Sequence, residues 1–144
     1  MSGPTYGPQV LEHYLHPRNV GSFDVRDPQV GSALVGSPEL GQILKLQIRL
    51  DGATIESACF RAFGSGEAIA AGSLATEWLA GRNLEQALAI GTQDFVQALD
   101  LAAEKLHCAM LAHDAIRAAV ADYTDKHSTM SEAHHGNHAD TTGR

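Results

Sequence analysis

Between residues 43 and 50 apolar and polar side chains alternate without a break, Leu44, Leu46, Ile48 and Leu50 on one side and Lys45, Gln47 and Arg49 on the other. A period of two over this length predicts a strand with one buried face. Asp51-Gly52 turns the chain, and residues 54–63 return as the next strand of an antiparallel hairpin. Residues 29–36 predict an earlier strand, weakened by glycine near both ends. After Phe63 the period changes. Gly64-Ser65-Gly66 is an elbow with Ser65 placed as an N-cap, and residues 67–79 form an alanine-rich helix closed by Gly81, with Ile69, Leu74 and Trp78 toward the sheet. Residues 84–90 and 92–99 predict two short helices, the second capped by Thr92. An amphipathic helix over 104–123 follows, its stripe formed by Ala109, Ala112, Ile116, Val120 and Tyr123, with His107, Asp114 and Ala118 on the other side. This arrangement sets His107 and Cys108 off the core stripe. Upstream, residues 8–15 predict a short helix stopped by His16-Pro17, followed by a turn-rich loop. Strands come first and helices after, which gives the α+β class.

The chain of 144 residues, 44% of them hydrophobic, has the material for one domain with its own core. That domain is expected over 8–125. Residues 1–7 are expected to be flexible, and the polar stretch 126–144, with His127, His134, His135 and His138, a disordered tail. A formal charge of -7 argues against nucleic acid or an anionic membrane as partner. Two cysteines, Cys59 and Cys108, cannot build a disulfide framework, and neither a signal peptide nor a membrane span is evident, so a reducing cytoplasm is expected.

The chemistry concentrates at His107-Cys108. At a helix start, a cysteine is expected to lose its proton more readily and to become a better ligand or nucleophile. One thiolate and one imidazole are half of a four-ligand shell. Cys59 alternates with Phe60 and is placed beside Arg61 on the less buried strand face, without function. No Ser-His-Asp set, phosphate-cradling glycine loop or spaced carboxylate pair is present, so no enzyme activity is expected.

Residues 14–23, with His16-Pro17-Arg18-Asn19-Val20-Gly21-Ser22-Phe23 nearly unbroken, resemble the start of IscU and of the NifU N-terminal domain, scaffolds of iron-sulfur cluster assembly. Val35-Gly36-Ser37-Pro38, Lys45-Leu46-Gln47-Ile48, Phe63-Gly64-Ser65-Gly66, Ala68-Ile69-Ala70, Thr76-Glu77-Trp78 and Lys105-Leu106-His107-Cys108 continue the likeness in order, over about residues 8–125. The resemblance implies an IscU-like fold, a three-stranded antiparallel sheet packed against several helices. It also implies a [2Fe-2S] cluster held by three cysteines, an aspartate and a histidine from two loops and the last helix.

Only His107 and Cys108 of that set remain. Leu40 and Ser65 stand where the family has cysteines and Gln42 where it has aspartate, so a cluster should not be held by one chain unaided. Cys108 matches the cysteine that accepts sulfur from a cysteine desulfurase. Ser65, Glu39 and Glu67 are replacement oxygen ligands which, with His107, would suit iron or zinc; the bland alternative is an N-cap for Ser65 and solvated positions for the two glutamates. The family's Leu-Pro-Pro-Val-Lys chaperone segment appears as Leu101-Ala102-Ala103-Glu104-Lys105, helix-compatible without its prolines, which puts chaperone recognition in doubt. The resemblance thus implies a divergent assembly protein that binds iron or a cluster, or carries sulfur, with a desulfurase or another scaffold. Alternatives are a pseudo-scaffold that only docks and regulates, and a single-cysteine sulfur carrier. A homodimer pairing two Cys108 would supply two thiolates.

Overall fold

A computed structural model describes residues 6–135, with only the helix backbone described from 129 onward. Helix α1 (Pro8–Leu15) precedes strands β1 (Val30–Ser37), β2 (Gln42–Asp51) and β3 (Thr54–Phe63), followed by α2 (Gly66–Leu79), α3 (Leu84–Leu88), α4 (Thr92–Leu99) and α5 (Leu106–His135). Short 3-10 turns at Pro38–Leu40 and Ala103–Lys105 lead into β2 and α5. The strands form one antiparallel sheet in the order β1-β2-β3.

The register puts Ala33 beside Leu46, Leu46 beside Phe60, and Ile48 beside Ala58, so the alternating apolar residues of all three strands share a face. Helices α2 and α5 cover that face at close range. A Cβ on Gly72 of α2 would stand 2.7 Å from the Phe60 ring, and one on Gly31 of β1 would fall on the Ala119 carbonyl of α5 and 2.9 Å from Tyr123 Cβ. Leu44, Leu46, Ile48, Phe60, Leu79, Phe95 and Ile116 are consequently buried.

The opposite face of the sheet is covered as well. The Gln47 side chain accepts from the Phe23 N–H at 2.7 Å and donates to the Phe23 carbonyl at 3.1 Å, pinning the loop after α1 across the sheet. Cys59 lies behind Gln47, its thiol 3.8 Å from the amide oxygen. It is 6% exposed, more buried than its place beside Arg61 on the less buried face implied: that face has a lid the local pattern does not reveal.

On the far flank, His13 of α1 shares a 2.8 Å hydrogen bond with Ser73 of α2, while Ser73 Oγ accepts from the Arg18 N–H at 2.9 Å. Asn19 donates to Thr76 Oγ1 at 3.0 Å. The His-Pro-Arg-Asn segment is therefore an anchor for α1.

Three expectations are revised locally. Gly91 rather than Thr92 caps α4, its N–H donating to the Asp94 carboxylate at 2.8 Å. Helix α5 begins at Leu106, because Ala102 is extended (φ -71, ψ 159) and residues 103–105 make a 3-10 turn. The proline-free segment thus keeps a non-helical start even though its residues are compatible with a helix. Helix α5 also runs on to His135, beyond the boundary expected at 126, and residues 136–144 lie outside the described part. Lys126 gives the extension its reason: its ammonium donates to the carbonyls of Val25, Asp27 and Val30 at 2.6–3.3 Å. One turn earlier, Asp122 accepts from the Ser32 N–H at 2.9 Å.

Candidate functional site

Three glycines bring the two loops to the start of α5. Gly36 (φ +88) and Gly41 (φ +72) take the left-handed conformations that bracket the 3-10 turn and return the chain into β2 at Gln42. Gly64 (φ +149) ends β3 so close to Gln42 that an added Cβ would stand 3.1 Å from Gln42 Cγ. Ser65 then caps α2, its hydroxyl accepting from the Ala68 N–H at 3.2 Å.

Four side chains meet at this junction. Ser65 Oγ lies 3.6 Å from Cys108 Sγ, the thiol donates to Gln42 Oε1 at 3.7 Å, and His107 Nε2 lies 3.6 Å from the same sulfur. A consistent relay runs from the Ala68 N–H to the Ser65 hydroxyl, from that hydroxyl to the sulfur, and from the thiol to the Gln42 amide. The donation to Gln42 requires the thiol to carry its proton.

Cys108 has no exposed surface, whereas His107 is exposed. This corrects the placement of Cys108 off the core stripe. Cys108, Ala115 and Ala119 form a second row at helical spacing beside the stripe, and every member is buried. The small side chains of that row are what the pattern reading passed over.

The expected acidification of Cys108 is likewise reversed. Burial pushes the thiol up from its ordinary value; the hydrogen bonds it shares with Ser65 and Gln42 pull against it, the Glu67 carboxylate pushes it higher and Lys105 pulls it down. Cys59 is also raised, chiefly by burial.

Glu67 is not a solvated helix-start residue. It is 8% exposed, its Oε1 lies 3.7 Å from Lys105 Nζ, and that oxygen has no hydrogen-bond partner. Glu39 is exposed in the 3-10 turn, and Leu40 beside it is 73% exposed. Among the described residues no group of three or more His, Cys, Asp or Glu is arranged to hold a metal ion. One thiol, one imidazole, a hydroxyl already used as a cap and a neutral amide do not supply the donors that an iron-sulfur cluster takes, so the residues present do not fit that group.

The chain belongs to the NifU-like N-terminal domain family, whose model matches residues 5–130. It is 50% identical over 122 residues to the iron-sulfur cluster assembly scaffold protein IscU of Escherichia coli K12, covering 84% of this chain and 95% of that protein. It is 51% identical over 122 residues to iron-sulfur cluster assembly protein 3 of Arabidopsis thaliana, covering 84% and 71%. Among solved structures, the N-terminal part of a nitrogen-fixing NifU-like protein from Brucella abortus matches with a TM-score of 0.66 at 12% identity, over 83% of this chain and 94% of that one. That likeness bears on the fold.

Proposed function

We propose that this chain serves iron-sulfur cluster assembly as a docking and sulfur-handling partner of a cysteine desulfurase, with Cys108 as sulfur acceptor, and that it carries and hands over rather than catalyses. The observation that supports this reading is the convergence of Ser65, Gln42 and His107 on one thiol at 3.6–3.7 Å. A persulfide needs only one thiol, and both cysteines here are free. When the pocket opens, His107 takes the proton and the Cys108 thiolate attacks the outer sulfur of the desulfurase persulfide. The donor's sulfur–sulfur bond breaks as the new one forms, and the desulfurase thiolate leaves, so no external oxidant or reductant is required.

Exposed apolar side chains in the segments that carry the site support docking. Leu40, Phe63, Leu106 and Met110 each stand two residues along the chain from Gln42, Ser65 or Cys108, and are 73%, 67%, 42% and 49% exposed. Such side chains suit a protein partner. Transfer of radiolabelled sulfur from cysteine through a desulfurase to the chain tests the reading. Label on the wild type that is lost in Cys108→Ala and slowed in Leu106→Glu/Met110→Glu supports it; label absent from the wild type, or residing on Cys59, overturns it. A second reading, docking and regulation without sulfur chemistry, draws on the complete burial of Cys108 and predicts association without label.

A further inference from the structure

Resting on the sulfur-acceptor reading, we infer that sulfur taken up at Cys108 is not built into a cluster on this chain but passes to a thiol of another molecule, so the chain stands between two persulfide-exchange reactions. The pocket offers Cys108 Sγ and His107 Nε2, and the other two neighbours are spent or weak. The Ser65 hydroxyl is committed to the Ala68 N–H at 3.2 Å, and Gln42 presents a neutral amide oxygen. Glu67, the nearest carboxylate by sequence, is buried against Lys105, and no third donor joins to complete a metal-holding group among the described residues. Iron delivered here would find one sulfur and one nitrogen, short of the shell a cluster requires.

A persulfide with no metal to receive it has two balanced exits by thiol exchange: attack on the inner sulfur, which expels hydrosulfide, and attack on the outer sulfur, which passes the sulfur on. In the second, an incoming thiolate attacks the outer sulfur, the Cys108 sulfur–sulfur bond breaks, and Cys108 leaves as a thiolate that regains its proton. The acceptor becomes the persulfide, and two-electron bookkeeping closes without a further reagent. Passing the sulfur on intact makes the consuming reaction thiol persulfidation on a partner or small thiol.

Two of the three replaced positions still face the thiol, whereas Leu40 is 73% exposed. Ser65 Oγ and Gln42 Oε1 lie 3.6 and 3.7 Å from the sulfur, held by Gly64 against Gln42 and by Gly41 at the turn, so at these two positions what is missing is donor chemistry and not backbone position.

The test has two arms on the full chain without oxygen. In the first, ferrous iron and inorganic sulfide are added to the wild type, to Cys108→Ala and to Leu40→Cys/Gln42→Asp/Ser65→Cys, and iron, acid-labile sulfide and visible absorption are read after desalting and size exclusion. The wild type is expected to match the Cys108→Ala background, while the triple variant, folded by circular dichroism, gains iron, sulfide and colour. Stoichiometric iron and sulfide on the wild type, as monomer or dimer, overturns the inference; a folded triple variant that stays colourless overturns the claim that three side chains account for the loss.

In the second arm, chain carrying labelled sulfur is separated from the desulfurase and given either ferrous iron or glutathione. Label, trapped by alkylation as it leaves, is expected to appear on glutathione persulfide and to form no chromophore with iron; label that stays on the chain through excess glutathione, or that leaves it directly as free sulfide, overturns the relay. Failure to acquire label at all is a different result, since it removes the acceptor reading and the relay together while the reconstitution arm still reports whether the pocket holds a cluster.

Discussion

Replacing Gly31 by alanine tests the contact that sets the site's position, because β1 and α5 approach at this residue and Cys108 rides on α5. The added methyl would fall on the Ala119 carbonyl and 2.9 Å from Tyr123 Cβ, so it meets helix backbone that cannot swing aside. Overpacking of this kind costs about 1–3 kcal/mol, and a backbone obstacle places it near the upper end. Restricting the unfolded chain returns up to about 1 kcal/mol. The net loss is then about 2 kcal/mol, and at roughly 4 °C per kcal/mol for a domain of this size the melting temperature falls by about 8 °C. Gly21→Ala is the matched control, since nothing lies within 4 Å of the Cβ it would carry. Urea and thermal denaturation of the pair decide the matter, with reaction of Cys108 toward a thiol reagent as a second readout that should quicken when α5 lifts. If Gly31→Ala is as stable as Gly21→Ala, the close packing of α5 on β1 is wrong.

Burial and Arg18 lower the pKa of His13 in the fold against the opposing pull of Glu77 and Glu12, so the unfolded chain binds the proton more readily. Stability should then be level above about pH 6.5 and fall as the pH drops below it, and His13→Gln should flatten that slope in denaturation curves taken across pH. Alkylation of Cys108 should be slow at neutral pH and keep accelerating past the ordinary thiol range, because burial raises its pKa; a rate that levels off near neutrality would contradict the neutral-thiol pocket. Ser65→Ala removes the cap on α2 as well as a contact to the thiol, and should cost about 0.5–2 kcal/mol by urea denaturation. Gln47→Leu strands the backbone N–H and carbonyl of Phe23, with an expected loss of about 1–3 kcal/mol and faster labelling of Cys59.

The sheet was legible because Leu44, Leu46, Ile48 and Leu50 alternate strictly and Asp51-Gly52 marks the turn; such signals are local and need no knowledge of what packs above them. The elbow at Ser65 was equally plain, since capping is a property of one residue and the three that follow. Burial of Cys59 and Glu67 was not legible. Each is covered by something distant in the chain, Cys59 behind the Gln47 side chain that pins Phe23 and Glu67 by Lys105, and no periodicity within a strand or helix reports a lid. Cys108 was misplaced for a different reason, as the row it shares with Ala115 and Ala119 is made of small residues that weigh little in an apolar stripe. The contact of Gln42 with Cys108 depends on two loops meeting at Gly64 and Gly41, a tertiary event.

The most direct measurement of the central claim is the intact mass of the chain after exposure to a cysteine desulfurase and cysteine, for the wild type, Cys108→Ala and Cys59→Ala. One added sulfur on the wild type and on Cys59→Ala, with none on Cys108→Ala, is the result predicted. Sulfur carried equally by Cys108→Ala, or by none of the three, would contradict it.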